Sequence, residues 1–165
     1  MSKVPAIALV ILLGLGLAAP VAAQSAAGDS ELGFSASFFH FTDDDDTDGT
    51  LIADVRYGRF LTEAFQLGGG LTIGGSIDDL DKAVNFEIFA GYYFTPAETS
   101  TWYVRGGYFA SLDEPGQGFV DAAAGYKSYF ADNVAFFWEA AYGTAIGSDV
   151  TGGVVRSLAG ITYTF

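Results

Sequence analysis

From Glu31 to the last residue the chain alternates apolar positions with small or polar ones, stopping at turn-rich patches and resuming after each. A period of two marks a strand with two unlike faces. Eight segments carry it: 31–42, 50–60, 65–75, 84–94, 101–112, 119–130, 134–144 and 154–165. The fourth is the clearest, with Phe86, Ile88, Ala90, Tyr92 and Phe94 set against Asn85, Glu87, Phe89, Gly91 and Tyr93. In the second, Leu51, Ala53, Val55 and Tyr57 oppose Asp54, Arg56 and Gly58. Short connections such as Thr62-Glu63-Ala64 and Ala131-Asp132-Asn133 join some neighbours, and acidic loops join the others. Strand segments of about ten residues between turn signals suit a membrane barrel.

The two faces decide the solvent. Each apolar face is continuous and has rings near the strand ends: Tyr57, Tyr92, Phe94, Trp102, Phe130, Tyr163 and Phe165 at one end, with Tyr108 and Tyr142 higher. The opposite faces hold Gly, Ser and Thr with isolated charges. Those charges are Asp54, Glu87, Asp121 and Glu139 against Arg56, Arg105, Lys127 and Arg156, four of each sign. A soluble barrel would turn the greasy face inward and solvate the eight charges. A barrel in lipid does the reverse, and it must close, because hydrocarbon leaves no partner for an exposed strand edge. The expected architecture is therefore an all-β, closed, eight-stranded antiparallel up-and-down transmembrane β-barrel. Its interior is narrow enough for side chains to fill, so the lumen should be plugged. Balanced charges fit such an interior, since an unpaired buried ion costs several kcal/mol. Glu87, Arg105 and Glu139, near mid-strand, should form the central pairs.

The start of the chain reads differently. Lys3 precedes an apolar run from Val4 to Ala19, and Val21-Ala22-Ala23 fits a small-residue cleavage site. This is the pattern of a secretory signal peptide, too short for a spanning helix of about twenty residues. The expected division is residues 1–23 as signal peptide and 24–165 as one barrel domain. Composition agrees: 50% of residues are hydrophobic and 16% charged, with 22 Gly, 15 Phe, 9 Tyr and 2 Trp. There is no Cys, which removes disulfides and thiolate metal sites. A net charge of −13 disfavours a nucleic-acid partner, because phosphate binding needs a basic face.

The chain ends in Gly160-Ile161-Thr162-Tyr163-Thr164-Phe165, with the aromatic on the final residue. This end resembles the C-terminal assembly signal of bacterial outer-membrane barrels, which would be carried here by Ile161, Tyr163 and Phe165. Together with the signal peptide, strand count, face pattern and short turns, residues 31 to 165 resemble the small eight-stranded outer-membrane barrel superfamily, the OmpA/OmpX-like group. The resemblance implies a place in a Gram-negative outer membrane, surrounded by its lipids, with assembly by the barrel assembly machinery and a monomeric state. It implies periplasmic termini, which would set the loops 43–49, 76–83, 113–118 and 145–153 outside. Those loops carry eleven acids and one base, Lys82.

Two spots hold candidate chemistry. Asp44-Asp45-Asp46-Thr47-Asp48-Gly49 contains D-x-D-x-D-G, the first half of a calcium loop. Asp44, Asp46 and Asp48 would bind a divalent cation such as Ca2+ weakly, since the position of the bidentate Glu is Val55. Otherwise the loop is a solvated run of like charges. No other cofactor is expected. His40 is the sole His, and no Ser/His/acid set shares a face with it, so no enzyme activity is expected. The register of the first strand stays open, because Phe38 and Phe39 are both apolar. The sequence thus predicts an envelope-interface barrel with an acidic extracellular face. Surface recognition or adhesion, a small-solute channel and a lipid-modifying enzyme remain the alternatives.

Overall fold

The structure, a computed structural model, describes residues 25–40, 49–76, 82–95, 99–112, 118–146 and 153–165. Eight strands run in chain order: β1 Ser30–His40, β2 Gly49–Phe60, β3 Phe65–Ser76, β4 Lys82–Tyr93, β5 Ser100–Ser111, β6 Gly118–Ala131, β7 Val134–Ile146 and β8 Gly153–Thr164. Each pairs antiparallel with the next, and β8 returns to β1, closing the barrel. The expected segments agree with these spans to within two residues at each end. The expected signal peptide, the calcium-like run 43–48 and all eleven loop acids lie outside the described residues.

Alternation becomes geometry here. Leu51, Val55 and Tyr57 of β2 are exposed, while Asp54, Arg56 and Phe60 are buried. Ile88 and Tyr92 of β4 are exposed, while Glu87, Phe89 and Tyr93 are buried. The outside is an apolar belt, including Leu67, Leu71, Phe86, Val104, Trp138 and Ile161. The inside holds nearly all the buried polar groups. It is an inverted molecule, with grease outward and ions within.

β1 follows the same rule. Glu31, Gly33 and Ser37 are buried and Phe34 and Ala36 are exposed, which fixes the register that the Phe38-Phe39 doublet obscured. His40 pairs through its backbone with Gly49; its side chain lies outside the described set.

The turn-side end is tied by the residues before β1. Gly28 takes a positive φ of 98°, a region open to glycine, and its N–H donates to the Phe60 carbonyl at 2.8 Å. Phe60 N–H donates in turn to Asp29 O at 2.8 Å. Ser30 and Phe165 exchange both backbone bonds at 2.8 Å each, so the last residue finishes the β1–β8 seam. In the turn after β2, Thr62 Oγ1 accepts from Phe65 N–H at 3.0 Å and from Ala64 N–H at 3.3 Å, holding β2 and β3 in a tight connection.

Candidate functional site

The eight charges expected inside all point into the lumen, and most of them form one network at its centre. Glu87 on β4 and Glu139 on β7 are almost fully buried. Arg56 from β2 donates to both, Nε to Glu87 Oε2 at 2.9 Å and Nη1 to Glu139 Oε1 at 3.3 Å. Arg105 from β5 also joins both, through Nη1 to Glu87 Oε1, Nη2 to Glu139 Oε1 at 2.9 Å and Nε to Glu139 Oε2 at 3.1 Å. Tyr103, two residues before it, donates to Glu139 Oε2 at 3.1 Å.

The network climbs toward the loop side through Asp121 on β6, which accepts from Arg105 Nη2 at 3.0 Å and from Arg156 Nη2 at 3.1 Å. Arg156 reaches Asp54 Oδ1 at 3.6 Å, and Asp54 accepts from Thr72 at 2.7 Å and Ser35 at 3.3 Å. One connected set thus holds Asp54, Glu87, Asp121 and Glu139 against Arg56, Arg105 and Arg156.

Lys127 does not join it. It sits lower and pairs with Glu31 at 2.5 Å, a partner absent from the sequence reading. Glu31 Oε1 also accepts from Gln66 at 3.5 Å, and Gln66 Oε1 accepts from Tyr93 OH at 3.0 Å. The expected balance of four and four therefore changes: with Glu31 the interior described here holds five acids and four bases. Parity was the signal that would have found it, because Glu31 shares a face with Gly33, Ser35 and Ser37.

The interior is also more aromatic than the polar faces suggested. Across the lower lumen Tyr93 stacks on Tyr103 and meets Phe60 at a tilt, with ring centroids 5.2 Å apart at each step. Lys127 Nζ lies 4.7 Å from the centre of the Tyr93 ring, and the Arg156 guanidinium 4.8 Å from that of Phe109. Phe89 and Phe137 are buried as well. Their rings fill space left by interior glycines: Phe89 covers Gly68, and Tyr103 covers Gly125.

No protein-family model matches the chain, and no curated protein matches it. Solved structures do. The N-terminal β-barrel domain of Pseudomonas aeruginosa OprF is similar over 86% of this chain and 100% of that one, at 20% identity and a TM-score of 0.57. A structure from the de novo design of transmembrane β-barrels is similar over 86% of this chain and 99% of its own, at 14% identity and a TM-score of 0.58. The solution structure of the designed barrel TMB2.3 covers 85% and 96%, at 18% identity and a TM-score of 0.55. At these identities the likeness is one of fold. The chain has the fold of a transmembrane β-barrel.

Outward rings pair at the rim of this barrel. Tyr92 and Phe94 meet edge to face at 5.5 Å, and Tyr163 and Phe165 stack at 5.8 Å, both pairs at the turn-side rim. Ile161, Tyr163 and Phe165 are exposed together on the last strand. Inside, among the described residues, a cavity lies on each side of the central ion pairs. The lower has a volume of about 40 Å³ and lies between Arg56, Arg105 and Glu139 above and Lys127 and Glu31 below. The upper, of about 200 Å³, opens on the loop side and is lined by Phe109, Phe119, Asp121 and Arg156 among others. Among the described residues no group of three or more His, Asp or Glu is placed to hold a metal. The cation candidates Asp44, Asp46 and Asp48 lie outside that set.

Proposed function

We propose that this chain is a structural barrel of the bacterial outer membrane, monomeric and non-enzymatic, with a plugged lumen and an acidic surface toward the outside. Its partners in this reading are the lipids around the belt and, during biogenesis, the barrel assembly machinery, which would engage Ile161, Tyr163 and Phe165. A divalent cation held weakly by the loop aspartates belongs to the same reading.

One observation carries it: Arg56 and Arg105 cross the lumen to the same two glutamates, Glu87 and Glu139. Side chains that span an interior and lock to each other occupy the path a solute would take. They also tie strands that are not neighbours, which stiffens a closed wall. The cavity below this clasp, about 40 Å³, has room for a few waters and little else.

Purified protein tested for heat-modifiable gel migration and for conductance in planar bilayers checks the reading. A folded band that shifts on boiling, with no steady conductance, is expected. Large, steady conductance would overturn the plugged lumen. Fractionation away from the outer membrane would overturn the location.

A further inference from the structure

The barrel wall is not equally closed. Each of the other seven strand pairs runs over at least nine residues of each strand, but β1 and β8 pair only from Ser30 with Phe165 up to Ala36 with Ala159. Above that, among the described residues, Ser37–His40 of β1 and Gly153–Leu158 of β8 are paired to their other neighbours and not to each other. Two edges therefore face one another on the loop side. An open edge in hydrocarbon is costly unless something else meets its polar groups. Val155, on this part of β8, is 72% exposed, the most of any large apolar residue described.

Behind the seam lies the upper cavity of about 200 Å³. Ile52 of β2 and Arg156 of β8, the strands flanking β1, both line it. Its walls are apolar at Ile52, Phe109, Phe119 and Ala141, and its floor is Asp121 with Arg156. Asp121 Oδ1 is buried without a hydrogen-bond partner, as is Ser37 Oγ at the foot of the seam. The network beneath holds four carboxylates to three guanidiniums, a surplus of one negative charge.

We propose that the β1–β8 seam is a side entrance from the membrane to this cavity, and that the site takes a single-chain amphiphile with a hydrogen-bond-donating, cationic head. The ammonium or similar head lies against Asp121, the first methylenes lie against Phe109, Phe119 and Ile52, and the chain leaves between β1 and β8 into the bilayer. A carboxylate head is excluded by charge, because it would meet the surplus acid of the floor. The inference needs the barrel to lie in a bilayer but not the structural role argued above. Loss of the heat-modifiable band would strike the fold, and the binding results strike only this site.

The full chain, folded in phosphatidylcholine nanodiscs, is titrated with dodecylamine and separately with dodecanoate at neutral pH, with empty nanodiscs as the blank. Calorimetry and native mass spectrometry should give one saturable dodecylammonium per barrel, bound at least about tenfold more tightly than dodecanoate. The chain has no cysteine of its own, so S37C/L158C gives a clean redox pair across the seam. Oxidised, it should lose at least about tenfold in affinity; reduced, it should match the parent. A141F fills the cavity and should lose binding while keeping its heat-modifiable band, and it decides the matter alone if the disulfide does not form. Heat equal to that of empty nanodiscs, equal affinity for the two probes, or full binding by oxidised S37C/L158C or by A141F would overturn the proposal.

Discussion

Arg105 grips Glu139 with two parallel bonds, Nε to Oε2 at 3.1 Å and Nη2 to Oε1 at 2.9 Å, while its remaining nitrogen, Nη1, reaches Glu87. The fork of a guanidinium matches a carboxylate in this way, and an ammonium does not. Arg105 also bonds Asp121. Removing it leaves three buried carboxylates each short of a partner, the costly way to break an ion pair.

Replacing Arg105 with Met should therefore cost about 3–5 kcal/mol of unfolding free energy. Replacing Arg56 with Met should cost less, because Arg56 makes two bonds to the network and its Nη2 is already without a partner. Urea unfolding of the barrel folded in lipid vesicles measures both. Equal losses, or a larger one at Arg56, would remove Arg105 from the centre of the plug.

The lower pair makes a separate test. Lys127 and Glu31 lie 96 positions apart and meet at 2.5 Å, joining β6 to β1 across the lumen. K127M leaves Glu31 charged and buried, with Gln66 and Thr164 as its remaining donors, both at 3.5 Å. The loss should be about 3–5 kcal/mol. Adding E31Q removes the stranded charge, and the double variant should recover to within about 1 kcal/mol of the parent, since a buried pair exchanged for neutral groups is often near neutral. A double variant as unstable as K127M would mean that packing of the lysine stem, not charge, is what matters there.

Much of this was legible because side chains in a strand alternate strictly. Parity alone placed Asp54, Arg56, Glu87, Arg105, Asp121, Lys127, Glu139 and Arg156 on one face, and a closed sheet has only one inside. Parity says nothing of height or reach across the lumen, however. That Arg56 meets Glu139, 83 residues away, depends on how the strands stagger as the barrel closes. Lys127 looked like one more member of the central set and instead descends to Glu31. Glu31 does not stand out because Phe38 and Phe39 blur the first strand, although Ser37 keeps the alternation intact. The buried rings Phe60, Phe109 and Phe137 are as apolar as the rings of the outer face, so hydrophobicity alone does not tell the two apart; a plugged interior needs bulk over its glycines too.

Those glycines give a third prediction. A methyl group at Gly68 would run into the Tyr57 carbonyl and the Phe89 ring. At Gly106, on the lipid side, it would meet nothing nearer than the Asp121 carbonyl at 3.8 Å. G68A should cost about 1–3 kcal/mol by overpacking, whereas G106A should stay within about 0.5 kcal/mol of the parent. Urea midpoints at unchanged slope measure both. A neutral G68A would show that the Phe89 ring is free to move and does not close the wall over that glycine.

The last prediction uses two residues of equal exposure and unequal depth. Ile88 is 52% exposed at the middle of β4, and Leu61 is 51% exposed in the turn after β2. On a protein in water, arginine at either site would change stability little, because both side chains already face solvent. In a bilayer the two sites differ. Ile88 lies in the apolar belt, where arginine near the midplane costs about 2–4 kcal/mol, while Leu61 lies at the rim, where the cost falls to about 0–1 kcal/mol. I88R should thus be the far more damaging change in vesicles, although Glu87 and Phe89 on either side keep their interior contacts. Unfolding in vesicles of thinner acyl chains should narrow the gap, because the midplane moves closer to water. Equal effects of I88R and L61R would place the belt in water, and the inverted reading of this barrel would go with it.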